Sequence, residues 1–426
     1  MKLRRPGWSI CLVLALVLSA CNTAATNNKS CPPLAVGVVV AGSDVSGGQE
    51  QREGYELALS EINQAGGVLG CPVSLVYQSE GDSANPDDAQ VAMLNLSDQG
   101  VLAVLGSTSN DATKRVAAIS SYFKIPVLVA TETGDDILTL GSSWVFRIPP
   151  ANKTAAGAAF DMVKATLGSQ VNLAILYEHT EYGESAATAA GQAALNRGLR
   201  LVEYLGYFPA AIDYAAILAE IKSTTPDVIY LINSDPKQAL DMITTFQGQY
   251  LGVTMMIGNG SGFTSRDFLY DKDGKLTSSL ESIFVTSAWS ADLPYHGSGK
   301  FGYDLTAFRQ TKGDSSAIPP VVRNVEAYTA LHVAVDAIDG QLKNSSDTWL
   351  EKLAKPENLP AFREALAAGL RAFKGSTYQT LFGPLEFDTE GQNKLDSVVL
   401  QIQGGKLVTV YPPALAVQAP AYTKGW

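Results

Sequence analysis

The sequence predicts an α/β fold of two doubly wound parallel-sheet lobes joined by a multi-crossover hinge. Three observations predict it. From residue 34 to residue 130, short apolar runs alternate with segments of helical period. That alternation builds right-handed β-α-β crossovers, with helices on both faces of a parallel sheet. The rhythm breaks at "WVFRIPP", residues 144–150, and then restarts. Beyond the restarted pattern come two long helical segments and a strand pair, so the chain crosses between lobes more than once. A length of 426 residues suits two packed lobes better than one small core.

Taken in order, "LAVGVVV" at 34–40 reads as a buried strand. Residues 49–65 place Tyr55, Leu57, Ala58 and Ile62 near helical period, and "AGG" stops that helix. Strand is expected at 73–77, helix at 87–99, strand at 101–105, helix at 112–123 and strand at 126–130. After the break, helices at 153–166, 184–197, 214–222 and 237–246 alternate with strands at 172–177, 201–204, 227–232 and 254–257. A strand at 283–286 precedes a Gly/Ser-rich stretch at 297–302, which reads as surface. Long helices return at 323–338 and 360–372. "VVLQI" and "KLVTVY" flank "QGGK" as a hairpin. The expected lobes are 32–147 with 288–372, and 148–287 with 373–426.

Apolar residues make up 46% of the chain and charged residues 17%, ordinary for a globular α/β protein. The net charge of −11 argues against nucleic acid, whose phosphates attract Lys and Arg. Lys2, Arg4 and Arg5 precede the apolar stretch "SICLVLALVL". That stretch is shorter than the roughly 20 residues a spanning helix needs, so residues 1–20 read as a secretory signal peptide. It ends in Leu18-Ser19-Ala20-Cys21, which resembles the bacterial lipobox. The resemblance implies lipidation of Cys21, and an extracytoplasmic protein tied to a bacterial membrane by lipid only. Residues 21–31, small and polar after Cys21, read as a flexible tether. Cys31 and Cys71 are then a single pair in an oxidising compartment. A disulfide between them would staple the first β-α-β unit; two unpaired buried thiols are the alternative.

Six segments carry a family resemblance in order and spacing. They are "GYELALSEINQAGG", "VLAVLGSTSN", "IPVLVATET", "ILYEHTEYGES", "PDVIYLINSDP" and "GPLEFDTEG". Together they resemble the leucine/isoleucine/valine-binding family of bacterial solute-binding proteins, which has the type I periplasmic binding fold. The resemblance covers nearly all of the mature chain. It implies a monomer that captures a small ligand by hinge closure and delivers it to an ABC permease. It implies no cofactor and no catalysis. The leading ligand is an amino acid or a related carboxylate or amide.

In doubly wound sheets, ligands bind beyond the carboxyl ends of the strands. "GSTSNDAT" lies at such an end, and Ser109 or Asn110 falls where the next helix begins. Helix N-termini carry unpaired N–H groups and a partial positive charge, so they suit carboxylates. By resemblance this loop holds a ligand carboxylate through Ser109 and Asn110. Thr131 and Thr133 add hydroxyls, and Glu132 stands where the family has a small residue. Across the cleft, Tyr182 matches a tyrosine that closes over the ligand. Ser234 and Asp235 follow the strand expected at 227–232, where an aromatic residue is often found. "NGSG" at 259–262 lacks the Glu that branched-chain amino-acid binders use for the amino group. These departures argue against leucine, isoleucine or valine as the ligand.

Enzyme motifs are missing. Ser261 lacks the flanking glycines of a nucleophile elbow, and no phosphate-binding G-x-x-x-x-G-K-[ST] occurs. The three histidines, His179, His296 and His332, are far apart and have no metal-ligand spacing. His179 lies near Tyr182 and could touch a ligand or face solvent. Two other functions remain open: a sensory receptor component of the same fold, and a secreted lipoprotein hydrolase.

Overall fold

The computed structural model describes residues 31–42, 45–81, 87–140, 142–249, 251–344 and 349–422. The expected signal peptide, Cys21 and most of the tether lie outside them.

The first sheet has the order β2-β1-β3-β4-β5. It comprises β1 (Leu34–Val40), β2 (Val73–Ser79), β3 (Val104–Gly106), β4 (Val127–Val129) and β5 (Val145–Arg147), all parallel. Every residue of β1 is buried, as expected for a central strand covered by helices on both faces. The crossovers run through α1 (Ser46–Gln64), α2 (Asp88–Asp98) and α3 (Asn110–Phe123).

The second sheet contains β6 (Asn172–Glu178), β7 (Arg200–Tyr207), β8 (Val228–Ile232), β9 (Met255–Asn259) and β10 (Phe284–Ser287). Its helices are α4 (Asn152–Leu167), α5 (Glu181–Arg197), α6 (Tyr214–Thr224) and α7 (Pro236–Phe246). The short turns α8 (Ser261–Thr264) and α9 (Arg266–Leu269) follow β9. Further along come α10 (Phe301–Thr311), α11 (Val322–Asn344), α12 (Trp349–Lys352) and α13 (Leu359–Arg371). A two-stranded ribbon, β11 (Gln379–Thr380) with β12 (Gly383–Pro384), precedes β13 (Val398–Gln403) and β14 (Lys406–Tyr411). These last two strands join the second sheet antiparallel at its edge, giving β14-β13-β10-β9-β8-β6-β7. The expected hairpin is therefore present, turning through Gly404 and Gly405 at positive φ.

Helix α11 comes back onto α1. The two axes approach so closely that a Cβ on Gly54 would lie 2.2 Å from the Asn324 carbonyl oxygen, so only glycine fits. This packing brings the N-terminal turn of α11 to the carboxyl end of the first sheet. At the far edge of that sheet, Arg147 bridges to Gln392. Its Nε donates to Gln392 Oε1 at 2.6 Å, and its guanidinium also reaches the Gly134 carbonyl.

Four expectations need correction. The strand expected at 101–105 pairs only over Val104–Gly106, although Val101–Ala103 are buried. "WVFRIPP", expected as a break, holds the fifth strand of the first sheet before its prolines end it. The 297–302 stretch is not simply surface. Ser298 is fully buried, its hydroxyl accepting Trp289 Nε1–H at 2.6 Å, and Phe301 opens α10 with Leu305 and Arg309 on the same buried stripe. Helices α3 and α5 start earlier than the expected 112 and 184. Ser109 Oγ caps Ala112 N–H at 3.3 Å, and Thr180 Oγ1 caps Gly183 N–H at 3.0 Å.

Candidate functional site

The loop after β3 begins with a close approach. Gly106 has φ +125°, and a Cβ there would lie 2.0 Å from the Val39 carbonyl oxygen. Glycine therefore lets β3 leave the sheet beside β1. The Ser107 carbonyl accepts Gln51 Nε2–H at 3.1 Å and the Thr131 hydroxyl at 3.2 Å. Thr108 Oγ1 accepts Ala41 N–H at 2.9 Å, and Thr108 N–H donates to Glu80 Oε2 at 2.7 Å. Ser109 caps α3. Asn110 follows it, 3% exposed, and neither polar atom of its carboxamide has a partner among the described residues.

The loop after β4 carries Thr131, Glu132 and Thr133. Thr131 Oγ1 accepts Gln51 Nε2–H at 2.8 Å. Glu132 is 6% exposed and meets Arg323 at 3.1 Å, so its cationic partner comes from α11. Thr133 Oγ1 donates to Asn152 Oδ1 at 2.9 Å, tying this loop to the start of α4.

The opposite wall comes from the second sheet. Tyr182, 8% exposed in the first turn of α5, accepts Asn259 Nδ2–H on its hydroxyl at 3.2 Å. Asn259 is held in turn by the Thr286 hydroxyl at 2.7 Å. Ser234 Oγ donates to Glu178 Oε1 at 2.7 Å, and Asp235 caps α7 at Gln238 N–H, 2.8 Å. His179 is turned away, against Phe208 with a ring separation of 4.6 Å and beside Glu184.

These walls enclose a cavity of about 650 Å³. Ser109, Asn110, Thr131, Glu132, Thr133, Tyr182, Ser234 and Asp235 all line it. So do Glu80, Asn152, Asn259, Arg323 and Glu326, which sequence reasoning did not single out for the site. Arg323 and Glu326 lie one turn apart on α11, and only the return of α11 onto α1 brings them there.

The charged side chains of the lining are mostly acidic. Glu80, Asp111, Glu132, Asp235 and Glu326 face it, with Arg323 as the one cationic side chain among the lining residues. Burial pushes the Glu132 carboxyl up to about 7, against the opposing pull of Arg323. Burial also raises Glu326 well above the usual carboxylate range. Burial lowers the Arg323 guanidinium, but Glu132, Glu50, Glu326 and Glu80 outweigh it and hold the group charged. At the rim, Lys114 of α3 pairs with Glu181 of α5 at 2.7 Å and with Asp136 at 2.8 Å. Near α1, Arg266 of α9 pairs with Glu53 at 2.9 Å, and its N–H donates to Glu50 Oε1 at 2.9 Å. Among the described residues no His, Cys, Asp and Glu group could hold a metal ion, and no helix is long and apolar enough to cross a membrane.

The family described as "Periplasmic binding protein" matches residues 34–406. A Leu/Ile/Val-binding protein homolog 7 from Brucella abortus (strain 2308) is 25% identical over 382 residues, spanning 87% of this chain and 88% of the relative. A branched-chain amino acid transporter substrate binding protein from Streptococcus pneumoniae, solved with isoleucine, superposes with a TM-score of 0.71 at 18% identity. That match covers 89% of this chain and 100% of the other. A solute binding protein of an ABC transporter from R. palustris, solved with benzoate, gives a TM-score of 0.70 at 19% identity, covering 91% and 98%.

Proposed function

The chain belongs to the periplasmic binding protein family, and from that premise we propose that it is an extracytoplasmic solute-binding protein. It captures a small polar solute by closing its two lobes and delivers it to an ABC importer. The solute class is an amino acid or a related small carboxylate or amide. One observation carries the reading. The carboxyl ends of both sheets meet around a cavity of about 650 Å³ that polar side chains of both walls line, Asn110 and Thr133 from one and Tyr182 and Asn259 from the other.

In this reading the eight expected residues serve in two ways. Asn110, Thr133 and Tyr182 hydrogen-bond the solute. Ser109, Thr131, Ser234 and Asp235 hold the walls in place through caps and hydrogen bonds, and Glu132, paired with Arg323, both holds its wall and faces the solute. No chemical step is assigned. The lobes are 32–147 with 288–372 and 148–287 with 373–426; the Arg147–Gln392 bridge makes residues near 392 a strap onto the first sheet. Cys21 carries the lipid anchor, and the protein works as a monomer. Cys31 and Cys71, both in the disulfide state, are joined to each other; alkylation with and without reductant, read by mass, tests this.

The function is tested by a thermal-shift screen of leader-free protein, unfolded and refolded to strip carried solute. The panel holds amino acids, amines, amides, ureas and aromatic acids. A ligand of the native state raises stability by RT ln(1 + [L]/Kd), about 2.7 kcal/mol at a hundredfold excess. A selective shift is expected for one chemical class. Turnover of ester or amide substrates would contradict the reading.

A further inference from the structure

The cavity wall at the first sheet holds the protein's own carboxyl groups where a solute carboxylate was expected. Glu80 accepts the Thr108 N–H, so the loop after β3 already gives a backbone donor to a side chain of the protein. The hydroxyls of this wall are engaged as well. Ser109 caps Ala112, Thr131 lies between Gln51 and the Ser107 carbonyl, and Thr133 donates to Asn152. Three buried carboxyl groups, Glu80, Glu132 and Glu326, face the cavity around one guanidinium, Arg323. Arg323 donates to Glu132 and to the Thr108 carbonyl. Among the described residues, none donates a hydrogen bond to Glu326. One guanidinium can pair closely with only one of three carboxyl groups, so a cation arriving in the cavity would stabilise the ionised form of another.

We propose that the solute carries a protonated nitrogen, in an ammonium, amidinium or guanidinium group, and that this nitrogen lies against Glu326 and Glu132. Asn110 and Asn152 hydrogen-bond the neighbouring polar atoms of the solute. The proposal rests on the solute-capture reading and adds the ligand's charge and its orientation. An amino acid would enter with its amino end, not its carboxylate, toward the first sheet.

The geometry has a pH signature. Glu326 is faced by Arg323 on its own helix, by Glu50 and Tyr55 on α1 and by Glu132 after β4, with Glu80 after β2 in the same cluster. Burial keeps its carboxyl protonated above the ordinary range. A cation requires the ionised form, so binding releases a proton and tightens as pH rises. An anionic solute would give the opposite slope.

The test is calorimetric titration of refolded protein at pH 6 and pH 8 with putrescine, agmatine, L-lysine, L-arginine, L-leucine, glutarate and benzoate. It is run on wild type and on Glu326→Gln, whose unchanged melting without ligand shows that it folds. The expected result is binding by compounds with a basic nitrogen, tighter at pH 8 and roughly tenfold or more weaker in the variant. Binding confined to glutarate or benzoate, or indifferent to the variant and to pH, overturns the inference and leaves solute capture standing. A solute without basic nitrogen, released from natively purified protein, overturns it equally. No binding by any compound, with no solute retained, removes both.

Discussion

Replacing Arg323 by Met would remove the one guanidinium from a cluster of buried carboxyl groups. The side chain is 7% exposed, with hydrogen bonds to Glu132 Oε1 at 3.1 Å and to the Thr108 carbonyl at 3.2 Å. Breaking one side of a buried pair costs about 3–5 kcal/mol when the partner stays charged. The partner need not stay charged here, because burial has already brought the Glu132 carboxyl up to about 7 with Arg323 present. A carboxyl whose pKa is raised on folding keeps its proton at low pH, and its stability contribution is lost as pH rises through that pKa. Without Arg323 the pKa climbs further. The loss from Arg323→Met is then about 2 kcal/mol at pH 5, from hydrogen bonds alone, and about 4 kcal/mol at pH 8. At pH 8 this corresponds to a fall in Tm of roughly 8–16 °C for a lobe of ordinary size. Urea unfolding of the refolded, solute-free protein at both pH values measures it. A loss below about 1 kcal/mol at pH 8, or one that does not grow with pH, would refute the reasoning.

Other outcomes follow from the same contacts. Tyr182→Phe removes the hydroxyl that accepts Asn259 Nδ2–H. It should weaken solute binding by about 1 kcal/mol, read by titration, and leave unfolding nearly unchanged. Lys114→Ala removes a half-exposed pair across the rim. Its effect on affinity should be no more than about 1 kcal/mol in low salt and should vanish in high salt, where exposed pairs are screened. The proposed disulfide between Cys31 and Cys71 would close a loop of about 40 residues, and its reduction should lower stability by about 4 kcal/mol in urea unfolding.

The strand–helix alternation was legible because strands such as β1 and β8 are short, fully buried apolar runs and helices such as α3 and α5 carry a buried stripe. β5 was hidden because three strand residues, one of them the buried Arg147, are followed after Ile148 by two prolines. α10 was hidden by the glycines around it, although Phe301, Leu305 and Arg309 recur at helical spacing. All eight expected site residues line the cavity, because loops at strand carboxyl ends follow from the topology alone. Arg323 and Glu326 did not stand out. On a helix, a charge at each of two positions three apart reads as a solvent face, and only the α1–α11 packing turns that face inward. Glu80 gave no local signal, since its partner Thr108 lies 28 residues away.

The central claim is that the cleft holds a small solute. The most direct measurement is the mass of leader-free protein, purified without denaturant and sprayed under non-denaturing conditions. Solute capture predicts a single added mass of small-molecule size, lost on unfolding and weakened in Asn110→Ala. The bare chain mass alone, from protein that no compound in the thermal-shift panel stabilises, would contradict it.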